Sequence, residues 1–233
     1  MRLDRRSLRA LALIAWAGAF AWLWATGESV RYLGPRTQWV VPVGAIGLGL
    51  AAAGYLYATR ADAPARVSAG EALGLAGLVV PVLAAAMLAN AQLGALAASN
   101  KLSSRGIDSS ALARLASRDA KQVGFLQLNA AGRDDKLTSE LGLHEGRSVE
   151  LAGFVSEPGR TFTLSRFYIT CCVADAVPIG VHVAAGRRGM HFEKDDWLDV
   201  TGVLARGDRE WVIDALEVER VKAPSDPYLS FAG

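Results

Sequence analysis

The chain has 233 residues, 52% of them hydrophobic, with 25 Lys and Arg against 23 Asp and Glu. That apolar share is high for a soluble protein, and the formal net charge of +2 supplies no basic patch of the kind that binds nucleic acid. Residues 1–100 carry eight basic and four acidic side chains and residues 101–233 carry 17 and 19, so the positive excess belongs to the N-terminal half.

Three stretches contain no charged residue: 10–27 (18 positions), 37–59 (23 positions) and 72–100 (29 positions). A helix needs about 20 mostly apolar residues to cross a bilayer core. The pattern predicts three transmembrane helices near 8–26, 38–58 and 72–98, within a membrane domain over 1–100. Gly and Ala crowd the second and third of these, as in helices that pack closely in lipid. Trp22, Trp24 and Trp39 suit an interfacial belt. The N-terminus MRLDRRSLR resembles the start of a signal peptide. The long apolar run and the lack of a small-x-small site after it favour a retained anchor. With the N-terminus inside, six basic residues (Arg2, Arg5, Arg6, Arg9, Arg60, Arg66) face the cytoplasm and four (Arg31, Arg36, Lys101, Arg105) lie outside. Three spans then place everything after residue 100 outside the cytoplasm, in a multi-pass protein of the cell membrane.

Residues 101–143 read as a helical connector. Asp108 and Ser109 are candidate caps for one helix, and DDKLTSELGL suggests a second that ends at Gly142 or Gly146. From Ser148 the period changes to two. SVELAGFV, TFTLSRFYITCC, PIGVHVAA, DWLDVTGVLARG and REWVIDALEVERVKA read as five short strands separated by turns. They predict an all-β small barrel of the OB (oligonucleotide/oligosaccharide-binding) type over 144–224, followed by a tail over 225–233.

The chain's two cysteines, Cys171 and Cys172, are adjacent. Neighbouring Cα atoms are about 3.8 Å apart, short of the span a relaxed disulfide requires. Four roles are open. The pair is structural, with Cys171 inside beside Phe167 and Ile169 and Cys172 facing out. Or it binds a soft ion through thiolates. Or it forms a strained vicinal disulfide that responds to redox state. Or it bridges to a partner. An ion needs further ligands. Asp175 lies close in sequence but also suits a turn cap. His182 and His191 each suit a solvated surface position better than a ligand position. Glu71 fits a helix start, Asn90 and Gln92 fit contacts to a neighbouring helix, and Arg166 fits a surface ion pair. No catalytic triad, carboxylate pair, phosphate loop or zinc-protease motif is present, so no enzyme activity is expected.

Several of these stretches together resemble one family. RYLGPRTQWV is similar to a Tyr-x-x-Pro-Arg segment between the first two spans of the YcgQ-like family of predicted two-component permease subunits. Gly34 here stands where that family often has His. ANAQLGALAASNKLSSRG is similar to the family's exit from the membrane, without its prolines. LAGFVSE, SRFYITCCVADAVPIG and DWLDVTGVL are similar to the core of its outer domain, and RFYITCCVADA is the most specific piece. The resemblance implies a bacterial accessory membrane subunit beside a larger integral membrane permease, of the kind linked to metal or metalloid export. With it, a role for Cys171 and Cys172 toward a thiophilic ion such as zinc stands ahead of the structural role, with Asp175 as helper. The alternatives are a non-catalytic envelope interaction module with structural cysteines, or a thiol-redox element.

Overall fold

The computed structural model describes residues 5–61, 67–87, 93–104, 113–114, 116–117, 123–186 and 191–229. They fall into two compact units: one within 1–91 together with Cys171–Val173, and one within 92–170 and 174–231.

The first unit is built on helices α1 (Arg5–Thr26), α2 (Val40–Ala58) and α3 (Ala69–Met87). α1 packs against both others. Gly27, at φ 73°, ends α1 in the left-handed region that glycine enters without a side-chain penalty. A 3-10 turn (Glu28–Arg31) and the segment up to Trp39 lead into α2. Small residues form the contacts: Ala10 and Ala52 are buried, and Gly44 lies against the Phe20 ring. Leu11, Ile14, Trp22, Ile46, Leu50 and Leu73 are exposed. A soluble helix buries such side chains, whereas in lipid they face the solvent they prefer.

Among the described residues two helices, α1 and α2, are long and apolar enough to cross a membrane. The third expected span, 72–98, is corrected in its bounds: the charge-free stretch 72–100 is not one helix. α3 runs to Met87, and a separate helix, α4 (Ala95–Ser104), starts after Gly94. Ala95 and Ala98 are buried in the second unit, where α4 packs on strands of the sheet. The Ala95 N–H donates to the Asp195 carboxylate at 2.5 Å. Alanine counts as apolar in either setting, so the charge-free run carried the reading past the helix end. Asn90, Gln92, Asp108 and Ser109 lie outside the described residues.

The second unit also contains α5 (Phe125–Ala131) and α6 (Asp135–Glu140), both inside the stretch expected to be a helical connector. The Asp134 carboxylate accepts the N–H groups of Lys136 and Leu137 and so starts α6. Gly142 ends it at φ 61°. The Leu143 N–H bonds to the Thr138 carbonyl and the Gly142 N–H to that of Ser139, a Schellman closure.

Five strands follow as the alternation predicted: β1 (Ser148–Glu157), β2 (Thr161–Tyr168), β3 (Val177–Ala185), β4 (Trp197–Arg206) and β5 (Trp211–Arg220). Their order is β1-β4-β5-β3-β2, and β2 pairs back to β1, which closes a barrel. β3 and β5 are parallel and the other four pairings antiparallel. This closed small barrel is compatible with the OB-like expectation. Register shifts at Val155/Glu157 and Thr201/Gly202 supply the local bends that closure needs. A Cβ at Gly202 would lie 2.5 Å from the Asp214 carbonyl oxygen, so only glycine fits there. Leu151, Phe162, Leu164, Val181, Val183, Leu198, Val200 and Ile213 belong to the core, joined by Phe125 and Leu128 of α5 and Leu137 of α6. The tail contributes a sixth strand, β6 (Tyr228–Leu229), parallel to β2.

Candidate functional site

β2 ends at Tyr168, earlier than the alternating pattern suggested, so the cysteines lie in a turn and not on a strand. Phe167 and Ile169 are buried, but Cys171 is exposed and Cys172 half-buried. The placement of Cys171 inside, beside Phe167 and Ile169, is therefore not what the fold adopts. A 3-10 turn, Val173–Asp175, follows the pair. The sulfur atoms are 3.7 Å apart, with the Cys171 thiol donating toward the Cys172 sulfur. That separation leaves two thiols and no disulfide.

The backbone on both sides of Cys172 is fixed within the first unit. The Cys171 carbonyl accepts the Gly34 N–H at 3.0 Å and the Thr37 hydroxyl at 2.5 Å. The Val173 N–H donates to the Tyr32 carbonyl at 3.0 Å, and Leu33 pairs with Cys172 as an antiparallel bridge. The segment 32–37 thus holds the backbone of the dithiol turn through one isolated bridge and the bonds of Gly34 and Thr37. These residues were missed as functional candidates. The only sequence signal for them was the resemblance carried by RYLGPRTQWV, where Gly34 replaces His.

Asp175 accepts the Thr170 N–H at 3.0 Å, the cap role weighed for it against ligation. His182 stands on β3, its Nδ1 3.2 Å from the Thr163 hydroxyl and its Nε2 3.5 Å from a Glu210 carboxylate oxygen. The His191 carbonyl accepts from Arg220. Among the described residues no group of three or more His, Cys, Asp or Glu side chains could hold a metal ion. What the site offers is two sulfur ligands.

Glu71 does more than begin a helix. It forms ion pairs with both Arg5 and Arg9 of α1. Among the described residues Arg166 forms no ion pair within 4 Å. Its guanidinium donates to the carbonyls of Asp226, Pro227 and Tyr228, and burial pushes it below its usual pKa while Asp226 opposes the shift. It clasps the tail that forms β6. A cleft of about 740 Å³ beside the β4–β5 turn, lined by Arg133, Asp135, Arg206, Asp208, Arg209 and Glu210 among others, had no counterpart in the sequence reading. Its charges alternate in sign along RGDRE, and Arg206 is already paired with Asp135 at 3.0 Å.

No curated protein and no solved structure matches the chain. Residues 133–230, from the end of α5 through the barrel and β6, match the family model described as the DUF1980 C-terminal domain.

Proposed function

We propose that the protein is a non-catalytic accessory membrane subunit whose Cys171–Cys172 turn captures a thiophilic ion and hands it on. The observation that carries this reading is the pair of sulfurs 3.7 Å apart, in an exposed turn whose backbone is fixed on both sides. A turn whose backbone is already held binds a soft ion without paying again for ordering that backbone. Structural cysteines are usually buried, and Cys171 is not.

The location of the pair supports an extracytoplasmic site. Arg5, Arg6, Arg9 and Glu71 gather where α1 and α3 begin and α2 ends, with Arg6 donating to the Leu56 carbonyl at 2.7 Å. Such a basic end marks the cytoplasmic face. The segment joining α1 to α2, which holds Cys171–Val173, lies at the other end of these helices. The partner is a larger integral membrane permease subunit, as the YcgQ-like resemblance implies, and the barrel is of the OB type.

The test is metal content on the reduced full chain in detergent micelles, with a thiol count on the same sample. Wild type should retain about one equivalent of a thiophilic ion, and the Cys171→Ser/Cys172→Ser variant none. Equal metal content in the two proteins, with both folded, would end the proposal.

A further inference from the structure

Cys171 and Cys172 are neighbours in the chain, so a bond between their sulfurs closes a small ring that contains the Cys171–Cys172 peptide itself. Neighbouring Cα atoms lie about 3.8 Å apart, whereas a relaxed disulfide spans about 4.4–6.8 Å. Closing the ring therefore strains the planar peptide and turns its carbonyl. That carbonyl carries the Cys171 oxygen, the atom that accepts the Gly34 N–H at 3.0 Å and the Thr37 hydroxyl at 2.5 Å. Hydrogen bonds weaken steeply as donor and acceptor lose alignment. Ring closure and the grip of segment 32–37 thus bear on one oxygen and oppose each other.

We infer that the pair is a thiol–disulfide exchange site whose oxidation releases the Cys171 carbonyl from Gly34 and Thr37. The co-reactant is a small soluble disulfide of the glutathione class. Cys171 is exposed and Cys172 half-buried, which assigns the order of events. The Cys171 thiolate attacks the soluble disulfide, whose S–S bond breaks, and one thiol leaves with the proton that Cys171 gave up. The Cys172 sulfur lies in contact with that of Cys171 at 3.7 Å. It then attacks the Cys171 sulfur, and the second thiol leaves with the Cys172 proton. Two cysteines are oxidised, and one disulfide is reduced to two thiols. The step needs no ion, so the inference goes beyond ion capture and survives its failure.

The coupling is reciprocal. Whatever holds the Cys171 oxygen favours the dithiol, and oxidation loosens that hold by the same factor. Thr37 is a positioning residue here, acting on the sulfurs through the peptide. One hydrogen bond is worth roughly fivefold in an equilibrium. Without it the ring should form about fivefold more readily, a fall of about 20 mV in the potential of a two-electron couple.

The full-length chain in micelles is equilibrated with mixtures of reduced and oxidised glutathione, quenched in acid, alkylated and read by mass spectrometry. Wild type should pass from two alkylated thiols to none, with the peptide that holds both cysteines lighter by two hydrogens. Thr37→Val should reach its midpoint in a mixture about fivefold more reducing, and Thr37→Ser should stay near wild type. Hydrogen exchange over residues 32–37 needs no substitution at Thr37. It should be faster in oxidised than in reduced wild type, and insensitive to redox state in Cys171→Ser/Cys172→Ser. Products that stop at glutathione adducts, or at disulfides between two chains, would overturn the ring. A ring that forms while exchange over 32–37 stays unchanged, or with one midpoint for all three proteins, would overturn the coupling.

Discussion

The Thr37 hydroxyl donates to the carbonyl oxygen of Cys171, a residue 134 positions away in sequence. With the Gly34 N–H on the same oxygen, the peptide that leads into the dithiol is held from two directions. A net hydrogen bond is worth about 1 kcal/mol, or roughly fivefold in an equilibrium. Thr37→Val should therefore loosen the turn and speed reaction of the cysteines with a soluble disulfide reagent by about fivefold, while Thr37→Ser should stay near wild type. Equal rates for all three proteins would mean that the bond does not restrain the turn.

Arg166 satisfies three carbonyls of the tail at once. Methionine keeps much of the bulk and removes every donor. Arg166→Met should destabilise the barrel by about 1 kcal/mol, the net worth of a hydrogen bond to partly exposed acceptors. Proteolysis read by mass spectrometry should show new cleavage in 221–227. A tail that resists protease in Arg166→Met as well as in wild type would show that β6 is held by Tyr228 and the strand pairing alone.

Gly202 and Gly47 make a matched pair for testing close approach. A Cβ on Gly202 would meet the Asp214 carbonyl at 2.5 Å and Ile213 at 2.6 Å, whereas one on Gly47 meets nothing within 4 Å. Gly202→Ala should cost about 1–3 kcal/mol of barrel stability through overpacking, measured by denaturant unfolding followed through tryptophan fluorescence. Gly47→Ala should leave that transition where it is. Similar midpoints for both variants would contradict the tight fit at the β4 register shift.

The orientation is open to direct labelling. In right-side-out membrane vesicles a membrane-impermeant maleimide should modify the exposed Cys171 without detergent, and pretreatment with a thiophilic ion should protect it. Labelling that appears only after the membrane is opened would put the dithiol on the cytoplasmic side.

How much of this was readable in advance depends on how local each signal is. The five strands follow from two-residue alternation, and α6 from the stretch DDKLTSELGL with a glycine, Gly142 or Gly146, to end it, all features within a few positions of the elements they define. The third expected span overran because alanine is equally at home in lipid and against a barrel, so composition alone did not show that 72–100 is not one helix. β6 is a two-residue strand that exists because β2 and Arg166 receive it. The cysteines drew attention as a pair, but their exposure depended on where β2 stops. The segment that holds their backbone, Tyr32 to Thr37, is more than 130 positions away in sequence, and no local period links the two.

The return pairing of β2 to β1 has a consequence for how the second unit can meet other molecules. In an open sheet the outermost strands present rows of unpaired N–H and C=O groups, and a passing peptide can extend the sheet there. Here β1 lies between β2 and β4, and β2 between β1 and β3 with β6 added alongside. Over Phe154–Glu157 and Thr163–Ser165 each strand already holds the other, so a peptide could extend the sheet there only by displacing a native pairing.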